Sequence, residues 1–279
     1  MQIQYENAQG KATDINSGNI RIFSVTGLSP ISVINTSSIS GYDGAAYISS
    51  QMPMRSITIL LEVLGDVETN KQKLYSIFQV KRLGTLYCRT NPRNVKIQCY
   101  TEKIDFTLTS TSMEFQVSLL CPQPYFESLD AMRKDIAAEI ALWEFPWEIL
   151  KEGCEFSDKS NTLFVNVPNY SEIDVGMTIV FHARSKLTNP SVRIIETGEY
   201  MKLNATMLTG DTISINSRRG HKSITLLRDE ISSNIFNTRT SGSTFLQLHQ
   251  GNNTIRYDAD SNLTGLEVTF YYTELFAGV

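Results

Sequence analysis

From residue 155 to the end of the 279-residue chain there is no helical period, only short strand-like runs arriving at regular intervals. That pattern limits the fold more than any other feature. The runs fall at 163–167, 178–183, 192–196, 200–207, 212–216, 223–228, 244–249, 253–258 and 266–273. Turn signals separate several of them: Asn189-Pro190, Thr209-Gly210-Asp211, Arg219-Gly220 and Gly251-Asn252. Glycine takes positive φ without steric cost, so Gly-Asp and Gly-Asn suit tight hairpins. Short strands at this spacing predict an antiparallel β-sandwich over 151–279.

The first half also reads mainly as strand. Over 56–65, Ile57, Ile59, Leu61 and Val63 alternate with Thr58, Leu60, Glu62 and Leu64, and both faces are apolar enough for a strand packed on both sides. Asp66 is placed to cap a helix running to about Arg82, with Val67, Leu74, Ile77 and Phe78 at helical spacing and Gly84 closing it. A meander follows. Val95, Ile97 and Cys99 alternate, then Phe106 and Leu108, then Phe115, Val117 and Leu119. Cys121-Pro122-Gln123-Pro124 ends it, because proline cannot donate to a ladder. Beyond Ser128, the apolar residues Leu129, Met132, Ile136, Ile140 and Trp143 are spaced by threes and fours until Pro146. That spacing predicts a helical linker over 128–150, clamped by Trp143 and Trp147, between domains at 1–127 and 151–279. A helix internal to one domain is the alternative.

Composition narrows the function classes. Hydrophobic residues make up 41% and charged residues 19%, enough apolar side chains for two cores. The formal net charge is −4 without a basic block, which points away from nucleic acid. No apolar run is long enough to span a bilayer, and the first residues carry no charged and apolar leader, so neither a membrane anchor nor an export signal is expected. Cys88, Cys99, Cys121 and Cys154 form no CxxC pair and read as small buried hydrophobes in a reducing compartment.

The segment 28–54 stands apart. It mixes Ser and Thr with Ile31, Val33, Ile34, Ile39, Tyr42, Tyr47, Ile48, Met52 and Met54, and holds Gly41 and Gly44. It reads as an extended arm or hairpin with little core-forming power. A hairpin belonging to the same subunit's core is the other reading.

Catalytic or metal chemistry finds little support. His182, His221 and His249 are far apart, and none has a partner at metal-ligand spacing. There is no nucleophile elbow, phosphate loop or HExxH. Asp258 and Asp260 share a side if their strand continues, a pair that would suit calcium or acid–base work, but the following Ser261-Asn262 suggests a solvated strand end. No enzyme, cofactor or metal is expected.

Several phrases, in order, carry a resemblance. They are Met54-Arg55-Ser56-Ile57-Thr58-Ile59, Leu61-Glu62-Val63-Leu64-Gly65, Gly84-Thr85-Leu86-Tyr87, and Leu119-Leu120-Cys121-Pro122-Gln123-Pro124-Tyr125-Phe126. Later come Thr209-Gly210-Asp211-Thr212-Ile213-Ser214-Ile215-Asn216, Lys222-Ser223-Ile224-Thr225-Leu226, Phe245-Leu246-Gln247-Leu248, Gly251-Asn252-Asn253-Thr254-Ile255, and Val268-Thr269-Phe270-Tyr271-Tyr272-Thr273-Glu274-Leu275-Phe276. The first group resembles the N-terminal domain of siphophage distal tail proteins, and the second their galectin-like C-terminal sandwich. The resemblance implies a mainly β, two-domain structural protein of the tail tip of a virion or of a phage-derived tail-like particle, assembled in the host cytoplasm. It also implies a hexameric ring whose opening continues the tail-tube channel, closed by the N-terminal domains. The expected partners are the tail tube protein, a tail-associated hub/lysin protein and a receptor-binding protein. Within that frame, segment 28–54 is the best placed to make the ring contact. A carbohydrate-binding module is the alternative. Against it, no tryptophan follows Trp147, and His182, Arg184, Asn189 and Pro190 lack the spacing of a sugar-binding galectin cluster. Tyr170, Tyr200, Tyr257, Tyr271 and Tyr272 read as packing residues.

Overall fold

The computed structural model describes residues 1–38, 40–41, 43–91, 93–108, 113–136, 139–141, 157–159 and 163–279. The chain divides into two units, Met1–Leu129 with Leu275–Val279, and Asp130–Glu274. The sandwich expected to run to the last residue therefore stops short of it, and the final five residues belong to the first unit.

The first unit holds β1 (Gln2–Glu6), β2 (Ala12–Asp14), β3 (Ile20–Thr26), β4 (Val33–Ser38), β5 (Ala45–Gln51), β6 (Arg55–Val63), α1 (Val67–Ile77), β7 (Leu83–Arg89), β8 (Asn94–Leu108), β9 (Met113–Cys121) and the start of β10 (Phe126–Ile136). Antiparallel ladders join β3, β6, β9, β8, β7, β1 and β2 in that order. Alternation does the work. Ile57, Ile59, Leu61 and Val63 of β6 are fully buried, as are Phe115, Val117 and Leu119 of β9. Each such side chain contributes roughly 1.5–3 kcal/mol of apolar burial. The opposite face of β6 is less packed than its sequence suggested, since Thr58, Leu60 and Glu62 are only half-buried.

Helix α1 begins as expected. The Asp66 carboxylate accepts from Thr69 N at 3.3 Å and from Thr69 Oγ1 at 2.6 Å. It ends earlier than expected, at Ile77. Phe78 leaves helical geometry and turns its ring into the core, 4.6 Å from Tyr5. Gly84 is not the helix stop. It lies within β7, where a Cβ would come 2.2 Å from the Tyr5 hydroxyl, so only glycine fits the approach.

The expected linker helix is also corrected. Residues 126–136 form strand β10, which pairs Glu127 with Lys96 and Ser128 with Val95 of β8. The spacing misled because Met132 and Ile136 are four apart, which one face of a strand accepts as readily as one face of a helix, and the β8 ladder decided between the two. Trp143, Trp147 and Cys154 lie outside the described residues.

The second unit adds β11 (Glu139–Ala141), β12 (Ser157–Lys159), β13 (Phe164–Asn169), β14 (Val175–Ala183), β15 (Leu187–Thr188), β16 (Ser191–Ile194), β17 (Tyr200–Lys202), β18 (Thr206–Met207), β19 (Thr212–Asn216), β20 (Ser223–Arg228), β21 (Ile231–Asn234), β22 (Gln247–Leu248), β23 (Gly251–Asp258) and β24 (Leu266–Phe276). One sheet runs β24, β14, β19, β20, β21, and the other runs β13, β23, β16, β17. Their inward residues, among them Ile179, Phe181, Phe270, Val192, Ile194 and Ile255, are buried, as a sandwich requires. The expected strands appear within a few residues of their read positions, except that 200–207 is two short strands, β17 and β18, in separate sheets. The short β15 and the exposed β21 were not foreseen. Among the described residues, no helix is long and apolar enough to cross a membrane.

Candidate functional site

The most distinctive surface is the β4–β5 hairpin. Every residue of both strands is exposed. The segment is therefore an arm, not part of its own subunit's core. Val33 opposes Gln51, Ile34 opposes Ser50, and Asn35 opposes Ser49. A bulge follows, so that Thr36 meets Tyr47 and Ile48 is the extra residue. The register puts Ile34, Thr36, Tyr47 and Ser50 on one face, where the hydroxyls of Tyr47 and Ser50 are 2.9 Å apart. On the other face, Asn35 Nδ2 donates to Ser49 Oγ at 3.0 Å. Ile34 is 60% exposed, Tyr47 65% and Ile48 63%. An isolated two-stranded hairpin is marginal in water, so such an arm is suited to packing on another surface.

The arm's root is fixed firmly. Gly27 has φ +87°, and a Cβ there would lie 2.0 Å from the Ser56 carbonyl oxygen. Arg55, almost fully buried, holds both ends of the excursion. Its Nη1 donates to the Gly27 and Ser29 carbonyls at 2.7 and 2.9 Å, and its Nε donates to the Pro124 carbonyl at 2.8 Å. Its Nη2 donates to the Ala277 carbonyl at 2.5 Å, tying in the C-terminal residues. The guanidinium also lies 4.8 Å from the centre of the Phe126 ring. Beside this root, Ile31, Met52, Pro53 and Met54 line a small apolar cleft of about 160 Å³.

The structure thus brings Ile31, Val33, Ile34, Tyr47, Ile48, Met52 and Met54 into one arm and its root, with Met52 half-buried and the others exposed. Ile39 and Tyr42 lie outside the described residues. Sequence reasoning missed Phe23, which is 76% exposed at the bulge in β3. The signal was available: an aromatic between Ile22 and Val25 breaks the alternation of that strand.

Residues 11–121 match the family described as phage tail protein RIFT-related domain, and residues 171–276 match the siphovirus-type tail component, C-terminal domain. The chain belongs to the siphophage distal tail protein family. It is accordingly a structural component of a phage tail. The chain is similar to the solved structure of SPP1 Dit (gp 19.1), described as a paradigm of the hub adsorption apparatus in phages infecting Gram-positive bacteria. That match has 14% identity and a TM-score of 0.72, covering 99% of this chain and 98% of that one. It is also similar to a chain of the phage P2 baseplate in its activated conformation with calcium, at 11% identity and TM-score 0.54, covering 100% and 99%. A strontium form of that baseplate gives 12% identity and TM-score 0.53, again covering 100% and 99%. None of the curated proteins matches.

The residues considered for chemistry do not converge in the second unit. His182 Nδ1 is 3.2 Å from Thr212 Oγ1, and His249 Nδ1 is 3.1 Å from Asp174, while His221 sits in a turn. The strand stops at Asp258, whose carboxylate accepts from Ala259 N, while Asp260 accepts from Lys202 and Asn189. The two carboxylates are therefore engaged separately. Among the described residues, no group of three or more His, Cys, Asp or Glu is placed to hold a metal. Tyr257 and Tyr272 are core residues, with Tyr272 donating to the Pro168 carbonyl at 2.7 Å, whereas Tyr170 is exposed. Cys88, Cys99 and Cys121 are free and buried, and burial pushes the Cys88 thiol up to about 11, which makes it a poor nucleophile.

Proposed function

We propose that six copies of this chain close into a ring through the β4–β5 arm, and that the ring joins the tail tube to the tail tip and its host-recognition apparatus. The observation that carries the proposal is the arm itself: a hairpin exposed at every position yet carrying Ile34, Tyr47 and Ile48. Such a surface is costly to leave in water and suits burial against a neighbouring subunit. The contact is heterologous, arm of one subunit against the body of the next, and a heterologous contact closes only when its rotation divides a full turn. The number six comes from the family. The apolar cleft of Ile31, Met52, Pro53 and Met54 and the exposed Phe23 extend the same interface. The partners proposed are the tail tube protein, the tail-associated hub/lysin protein and a receptor-binding protein. The role is architectural and requires no catalytic step. The likeness to hub and baseplate structures supports the reading. Electron-microscope class averages of the purified full chain test it. A six-fold ring with a central opening is expected, whereas single subunits or an open filament at all concentrations would refute it.

A further inference from the structure

The outer face of the β13–β23–β16–β17 sheet carries an unusual row. Phe164 opposes Arg256, Arg256 opposes Arg193, and Arg193 opposes Tyr200, one residue from each strand. Aromatic rings flank two arginines that stand directly opposite each other. Cross-strand partners have Cβ atoms about 4.5–5.5 Å apart, and like charges so placed repel. Each guanidinium faces a ring, Arg193 at 5.6 Å from Tyr200 and Arg256 at 5.7 Å from Phe164. The rings orient the cations but do not neutralise them.

The neighbouring acids neutralise them only in part. Asp260 is committed to Lys202 at 2.7 Å and to Asn189 at 2.8 Å. Asp258 accepts from its own neighbour, Ala259 N, and forms one long ion pair with Arg256 at 3.8 Å. Among the described residues, no carboxylate comes within ion-pair distance of Arg193. The arginine pair lines an open groove of about 450 Å³ whose other walls include Ser191, Lys202 and the side chains of Asp258 and Asp260, so three cations face two carboxylates there. We propose that this groove binds an oxyanion, a phosphate or carboxylate group, held between the guanidinium forks of Arg193 and Arg256. A bridging oxyanion removes the repulsion, supplies the acceptor that Arg193 lacks and adds closer ones for Arg256, whose one carboxylate partner is distant. The proposal is independent of the ring reading, since it concerns the second unit alone.

The test uses the full chain at fixed ionic strength, with binding followed by calorimetry. The probes are inorganic phosphate, a glycerol-phosphate polymer and polygalacturonate. The wild type should bind at least one of them. Arg193→Gln and Arg256→Gln should each weaken that binding about tenfold or more, while Arg219→Gln, on an exposed turn elsewhere in the unit, should leave it unchanged. Binding of phosphate alone identifies a free-anion site, and binding of a polymer only identifies a polymer site. Without ligand, the two groove variants should melt no lower than the wild type, because each relieves the cross-strand repulsion. Absence of binding to all three probes overturns the proposal, as does binding that Arg219→Gln weakens equally. A lowered melting temperature in both groove variants would assign the pair to structure instead.

Discussion

At the scale of single residues, Arg55 matters most to the first unit. It is a buried cation whose counter-charges are carbonyl dipoles from Gly27, Ser29, Pro124 and Ala277. Arg55→Met roughly keeps the volume but takes the donor away from four carbonyls, three of them on half-buried residues. The first unit should lose about 3–5 kcal/mol, read from urea denaturation. In the second unit, Asp211 is buried and accepts from Arg228 Nε at 3.0 Å, from Arg228 Nη2 at 2.5 Å and from Leu208 N at 2.7 Å. The Arg228 hydrogen bonds hold its carboxyl below the usual aspartate range, against the opposing effect of burial. A depressed folded-state value gives stability that is complete above the unfolded value near ~3.9 and lost as pH falls through the folded value. Urea midpoints of the second unit should therefore decline below about pH 4. Asp211→Asn should start from lower stability and show a shallower decline, and an identical slope would contradict the assignment.

At the scale of elements, exposure separates the arm from the body. Replacing Ile34, Tyr47 and Ile48 by serine should change the intrinsic stability of a dissociated subunit by only about 0.5 kcal/mol, because surface positions contribute little. Ile59→Ala, in the fully buried face of β6, should cost about 2–5 kcal/mol. Denaturation at low protein concentration compares the two. The same contrast explains what could be read in advance. Strands such as β6, β9, β14 and β19 were legible because one face is buried and the sequence alternates to match. The Asp66 cap was legible from its residue type. Strand β10 was not, since Met132 and Ile136, four apart, satisfy a strand and a helix equally and the deciding partner, β8, pairs through the distant Lys96 and Val95. Nor was the row from Phe164 to Tyr200, because cross-strand neighbours are set by register, which a single sequence does not print.

At the scale of the whole molecule, the chain leaves the first unit near Leu129 and gives its last five residues back to it. Phe276 is buried in the first unit's core, with the Arg93 guanidinium 4.6 Å from its ring, and Ala277 completes the Arg55 cluster. The sequence showed two compositional halves but not this return, which depends on contacts with residues more than 180 positions away. With both ends of the chain in the first unit, that unit carries the fixed root of the arm as well as the arm itself. The account rests on that arm as the subunit contact. The most direct test is the solution mass of the full chain by light scattering, compared with a chain lacking residues 28–54. A hexamer that falls to monomer on deletion is the predicted result. A strict monomer before deletion, or a hexamer that survives it, would contradict the account.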